Sequence, residues 1–185
     1  MTGKEFEALI IFRAGKLEEE GVLSLGRYGV QAVMMNGPDG KPGWQIIKSL
    51  PDFEGTIPPN GQQIIIEAKV CSQASYPIAS TDRKHPKQID HMMRRARMGA
   101  RCFLLIHFNP RELKTRNDPA ETYAIPVHPD NYFWRMFDAA EERLISRAMA
   151  AEYGITVPWN LYSTRASKQT PDLTALLEPA PFQLQ

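Results

Sequence analysis

The sequence has little net charge, few cysteines and no long apolar run, and each scarcity removes a class of protein. Lys and Arg number 22 against 21 Asp and Glu, so the net charge is +1. This is not a uniformly basic chain that coats nucleic acid; any contact with a phosphate backbone must come from local patches. The two cysteines, Cys71 and Cys102, sit in apolar runs with neither zinc-ligand nor disulfide-framework spacing. They read as small buried side chains in a reducing compartment. The four histidines, His85, His91, His107 and His128, show no paired metal spacing. No apolar stretch approaches the roughly 20 residues needed to cross a bilayer. Glu5 and Glu7 interrupt the N-terminal region as no signal peptide would. The expectation is a cytoplasmic protein with no membrane partner.

What is present is a globular chain. At 185 residues, 43% hydrophobic and 23% charged, it is long enough for one domain with a real core. Helical spacing of Phe6, Leu9, Ile10, Arg13 and Leu17 predicts a first helix over residues 5–20, with Gly21 as its stop. Strands over 29–35 and 44–49 flank a cluster of turn residues and predict a hairpin with a long tip. Pro51 and Asp52 close its second strand. Residues 62–71 form a strand whose Ile64, Ile65 and Ile66 predict burial on both faces, as in a central strand. Residues 72–86 read as irregular and 87–99 as a helix with Ile89, Met92, Met93 and Ala96 inward. Strands over 102–108 and 121–127 follow, then one long amphipathic helix over 131–153. The proline-punctuated remainder reads as a tail on the surface. This order predicts an α/β domain with a mixed sheet.

The chemistry centres on Asp52 and on the triplet Glu67-Ala68-Lys69. Glu67 and Lys69 are two apart on a strand, so both side chains leave the same face. Asp52 lies upstream across a turn, and antiparallel pairing would bring the two carboxylates together. Two hard oxygen donors at that separation suit Mg²⁺ or Mn²⁺, with the Ala68 carbonyl as a third ligand. Such a cation lowers the pKa of bound water, and an ammonium at Lys69 stabilises charge on phosphorus, which points to phosphodiester hydrolysis. The competing reading is a surface ion pair, because the pattern also arises by chance: Pro171-Asp172 has no acid-x-lysine strand after it. Placement favours the site, since charges that follow three isoleucines in an interior strand are costly without a partner or a function.

The chain also resembles the RecU-type Holliday junction resolvases of the PD-(D/E)XK nuclease superfamily. The similarity covers roughly residues 3–134. It rests on Asp52-Phe53-Glu54-Gly55, Ile66-Glu67-Ala68-Lys69, Ser75-Tyr76-Pro77-Ile78, Gln88-Ile89-Asp90-His91-Met92 and the run from Gly99 to Ile106. The resemblance implies a restriction-endonuclease-like core, a mixed central sheet flanked by helices; the long C-terminal helix and tail come from the spacing read above and lie beyond the matched segments. It further implies magnesium at Asp52, Glu67 and Gln88, transition-state stabilisation by Lys69, and a homodimer that cuts opposed strands of branched DNA. Glu7 on the first helix is a further metal candidate, although a glutamate there, like a glutamine in a helix's first turn, is ordinarily solvated.

Two departures bear on these expectations. The family's threonine two residues before the first aspartate is Leu50 here, which cannot ligate. The hairpin over 29–50, a short stalk by this reading, is shorter than the family's. Arg94, Arg95, Arg97 and Lys87 are candidate contacts to duplex or branched DNA, against the plainer reading of a solvated helix face. The expected division is a nuclease domain over 1–157 and a C-terminal extension over 158–185. The rival functions are a phage- or plasmid-type nuclease acting on flaps, ends or a specific site, and a catalytically inactive DNA-binding relative.

Overall fold

The computed structural model describes residues 1–28, 32–36, 41–46, 50–78, 87–113, 115, 117–139, 144–163 and 168–178. The chain opens with helix α1 (Gly3–Glu19), whose start is fixed by a capping box. The Thr2 hydroxyl accepts from the Glu5 amide at 3.3 Å, and the Glu5 carboxylate accepts from the Thr2 amide at 2.7 Å. Strand β1 (Ser24–Arg27) follows, then β2 (Ala32–Asn36) and β3 (Pro42–Ile46), which pair as the expected hairpin. The hairpin's tip over 37–40 and its flanks at 29–31 and 47–49 lie outside the described residues.

Asp52 does not close the hairpin, contrary to the sequence reading. It precedes a separate strand, β4 (Phe53–Ile57), which pairs antiparallel both with β1 and with β5 (Gln62–Cys71). Gly55 makes that insertion feasible. A Cβ at this position would lie 1.9 Å from the Ser24 carbonyl oxygen, so no other residue fits between the strands. Beyond β5 come β6 (Ser75–Pro77), helix α2 (Lys87–Arg97) and β7 (Arg101–Phe108). The short pair β8 (Arg111–Glu112) and β9 (Asn117–Asp118) leads into β10 (Glu121–Pro126).

The expected long C-terminal helix over 131–153 is two helices. Helix α3 (Tyr132–Ala139) and helix α4 (Arg147–Tyr153) are separated by β11 (Leu144–Ser146). The amphipathic pattern is continuous in sequence, but backbone pairing decides the break: Leu144, Ile145 and Ser146 pair with Pro77, Tyr76 and Ser75. Ser146 then caps α4 by accepting from the Met149 amide at 3.1 Å. Ile145 is buried, whereas Leu144 is 49% exposed.

The chain ends in β12 (Ile155–Thr156), the pair β13 (Trp159–Ser163) and β14 (Lys168–Pro171), and a 3₁₀ turn over Leu173–Leu176. The last of these is not surface tail, since Leu173 and Leu176 are fully buried in the core beside α1. The main sheet runs β1-β4-β5-β7-β10-β12, with β5 and β7 parallel and the other neighbours antiparallel. It is the mixed sheet the sequence predicted. Two apolar cores cover it. Phe6, Ile10, Phe53, Ile64, Ile66 and Leu105 pack on the α1 side; Ile65, Met92, Leu104, Ile106, Phe133 and Trp134 pack on the α2 side. Among the described residues no helix is long and apolar enough to cross a membrane.

Candidate active site

Strand alternation places the site. In β5 the odd residues Ile65, Glu67 and Lys69 share one face, and Ile64, Ile66 and Ala68 share the other, in the α1-side core. Register then sets Phe53 opposite Ile66, so Asp52 stands opposite Glu67 at the mouth of the β4–β5 pair. The Asp52 amide donates to Glu67 Oε2 at 3.2 Å, and Asp52 Oδ2 accepts from the Ala68 amide at 2.8 Å. Lys69 Nζ lies 3.6 Å from Asp52 Oδ2 and is also ion-paired with Glu67 Oε1. Asp52, Glu67 and Lys69 therefore form one charged cluster, as the spacing predicted.

The electrostatics are those of a carboxylate pair held together by an ammonium. Glu67 is 2% exposed. Burial pushes its carboxyl up to about 7; Lys69 pulls against this and Asp52 adds to it. Burial works against the charge on Lys69, but Glu67 and Asp52 outweigh it and hold the ammonium above the ordinary lysine range. Tyr76 on β6 belongs to the same field. Burial raises its hydroxyl, Lys69 lowers it, and Glu67 and Asp52 raise it further. The sequence carried a signal for Tyr76 in Ser75-Tyr76-Pro77-Ile78, but no role came with it.

The donor set fits a hard divalent cation. Among the described residues no three His, Cys, Asp or Glu side chains gather. One or two carboxylates suffice for Mg²⁺, because it keeps several of its waters. In a strand the N–H and C=O of one residue leave the same edge. The Ala68 amide reaches Asp52, so its carbonyl points to that side as well.

Among the described residues no hydrogen bond or ion pair joins the other candidates directly to this cluster. Glu7 on α1 is ion-paired with Arg27 at 3.3 Å. Gln88 is half-buried in the first turn of α2, and among the described residues nothing links its amide to the carboxylates. Leu50 is half-buried beside the buried Pro51. Lys87, Arg94 and Arg97 are exposed on α2, whereas Arg95 turns toward the sheet, where Nη2 donates to Gln63 Oε1. Arg101 is engaged elsewhere: its guanidinium donates to the carbonyls of Leu177, at 2.8 Å, and Glu178. His107 is a core residue. It bonds Thr122 Oγ1 at 2.9 Å beside Phe6 and Trp159, and burial lowers it to about 4. Of the remaining basic residues that could form local patches, Arg83, Lys84, Lys114, Arg116 and Arg165 lie outside the described residues.

Among solved structures the chain is similar to Hjc, a Holliday junction resolvase from the archaeal hyperthermophile Archaeoglobus fulgidus. The TM-score is 0.47 at 18% identity, over 83% of this chain and 95% of that one. No curated protein matches. The sequence profile of the family RecU, recombination protein U, matches residues 30–163. That span is more than two thirds of the chain, takes in the whole charged cluster, and runs past Trp134, where the motif resemblance ended. The chain belongs to the RecU family of Holliday junction resolvases, which are endonucleases.

Proposed function

We propose that the protein is a Mg²⁺-dependent, structure-selective DNA endonuclease that resolves four-way junctions, acting as a homodimer whose two sites cut opposed strands. The observation that carries this reading is the convergence of Asp52 and Glu67 with Lys69 Nζ in contact with both.

Asp52 and Glu67 would hold the cation, with the Ala68 carbonyl as a third donor. When bound, Mg²⁺ supplies a Lewis acid for the phosphate and a water of lowered pKa. The chain's own contribution is to place and balance charge. Backbone amides of Asp52 and Ala68 fix one oxygen of each carboxylate, so the site needs little reorganisation when loaded. Glu67, held near 7 by burial, is deprotonated in the alkaline range where a divalent cation competes best for it. Lys69 neutralises the pair in the free protein. With the carboxylates engaged by the cation, its ammonium is free to meet the negative charge that builds on the phosphoryl group. Lys87, Arg94 and Arg97 extend a cationic margin along α2 for the flanking backbone.

A second reading, a nuclease of the same superfamily for other branched DNA, is favoured by the hairpin, which at 29–50 is short for a junction stalk and whose strands pair over five residues each among the described residues. Cleavage of a panel of four-way junctions, flaps, linear duplex and single strands with Mg²⁺ or Mn²⁺ separates the readings. Paired symmetrical nicks near the crossover of the junction are expected. Equal cutting of flaps or linear duplex would favour the second reading, and binding without cleavage would identify an inactive relative.

A further inference from the structure

The acid on β4 that hydrolysis leaves unused is Glu54. It stands two residues after Asp52, so its side chain leaves the same face of the sheet. Its carboxylate accepts from Gln63 Nε2 and from the Tyr28 hydroxyl, and lies 3.9 Å from Arg95 Nη2. That same Nη2 donates to Gln63 Oε1, which closes the network. Arg95 thus differs from Arg94 and Arg97, which are exposed on the same helix. His91, one turn earlier on Arg95's side of α2, sets its ring edge-on to Tyr28 with centroids 6.2 Å apart. His91 Nε2 and Arg95 Nε are both buried without a hydrogen-bond partner. Tyr28 in turn donates its amide to the Asp52 carbonyl at 2.9 Å. A continuous set of contacts therefore runs from the metal-binding aspartate to one guanidinium.

We infer that Glu54 is a positioning residue: with Gln63 and Tyr28 it holds Arg95 ready to grip the DNA backbone beside the phosphate being cut. The inference rests on the endonuclease reading above. An arginine on a free helix face loses rotamer freedom each time it takes a phosphate. One already fixed by a carboxylate and an amide does not, and its planar fork keeps donors for a second acceptor.

The test turns on a sign. A carboxylate that merely sits near DNA repels it, so its removal should tighten binding. A carboxylate that orients an arginine should weaken binding when removed. Binding of a fluorescent four-way junction by the full chain, with Ca²⁺ in place of Mg²⁺, is measured from 50 to 300 mM salt. Arg95→Ala is expected to weaken binding roughly 10-fold at moderate salt and to lower the log–log salt slope by about 0.9, the loss of one phosphate contact. Glu54→Ala is expected to give the same slope loss, and the double variant to bind no worse than Arg95→Ala alone. In Mg²⁺ the KM for junction should rise more than kcat falls. If thermal melting shows Glu54→Ala to be unfolded, Gln63→Ala takes its place with the same expectation. Tighter binding by Glu54→Ala, an unchanged slope, or additive losses would overturn the inference. Failure of the wild type to bind any DNA would instead overturn the endonuclease reading itself.

Discussion

The two faces of the central sheet carry different kinds of interior. The α1 face is closed and apolar: Phe53, Ile64, Ile66 and Leu105 meet Phe6, Ile10 and Leu17. Its buried polar group His107 is matched by Thr122, whose hydroxyl also accepts from Trp159 Nε1 at 2.8 Å. The α2 face is apolar under Ile65, Leu104 and Ile106, but at its β4 end it carries Asp52, Glu54, Glu67, Lys69 and Arg95. There a carboxylate is buried against its solvation preference, and two buried nitrogens lack partners. One face is built to hold the fold. The other accepts unfavourable burial so that charge is fixed where a cation and a phosphate would sit.

If this division holds, substitutions on the two faces should fail in different assays. The largest effects belong to the charged cluster. Asp52→Asn, Glu67→Gln and Lys69→Ala should each lower the single-turnover cleavage rate by about 10²–10³-fold or more, while junction binding by the folded protein stays close to wild type. A variant that cuts at the wild-type rate would remove its residue from the site. Ile10→Ala and Leu17→Ala, fully buried on the opposite face, should cost about 2–5 kcal/mol of unfolding free energy. Urea denaturation reads that loss, with cleavage per folded molecule unchanged. A stability loss of under 1 kcal/mol would mean that the α1 core is not closed as described.

The pH dependence of stability separates the faces further. Glu67 has a folded-state value of about 7, above its ordinary 4.5, so the native state binds more protons between those values. Its favourable contribution is complete below 4.5 and is lost as pH rises through 7, at a slope of up to about 1.4 kcal/mol per pH unit. His107 has the opposite sign. Its folded value of about 4 lies below 6.5, so its contribution is present above 6.5 and is lost as pH falls through 4. In the wild type the two partly cancel. Unfolding curves for Glu67→Gln should therefore show stability rising with pH across 4.5–7 more steeply than in wild type, and identical slopes would contradict the burial assigned to Glu67. The smallest effect expected is from Thr122→Val, which leaves His107 and Trp159 without their shared partner and should cost about 1–3 kcal/mol in denaturant titration. No loss of stability would show that the hydroxyl is not holding both rings.

The same contrast explains what could be read in the sequence. Glu67 and Lys69 were legible because period-two spacing after three isoleucines fixes their shared face without reference to any other strand. The stop at Gly21, whose φ is +70°, was legible from local capping chemistry, whereas the start, read at residue 5, lies at Gly3 because Thr2 closes a capping box with Glu5. Strand β4 was not legible: Phe53-Glu54-Gly55-Thr56-Ile57 has a glycine at its centre and lies between Pro51 and Pro58. Only the approach of β1 to Gly55 shows why that glycine strengthens the sheet rather than ending a strand. The break between α3 and α4 depends on pairing with β6, almost 70 residues away, which helical periodicity cannot register. Arg95 looked like Arg94 and Arg97 because a charged helix face says nothing about which cation a neighbouring strand will hold. The roles of Glu7 and Gln88 were carried by family likeness; Glu7 is ion-paired with Arg27, and among the described residues no contact joins the Gln88 amide to the carboxylates.

The central claim is that Asp52 and Glu67 share one cation, beside which Lys69 acts on the phosphate. Calorimetric titration of Mg²⁺ into the wild type, Glu67→Gln and Lys69→Ala at pH 8 tests it most directly. The account predicts saturable binding at one site in the wild type, loss of that binding in Glu67→Gln, and its retention in Lys69→Ala. Unaltered Mg²⁺ binding by Glu67→Gln would contradict it.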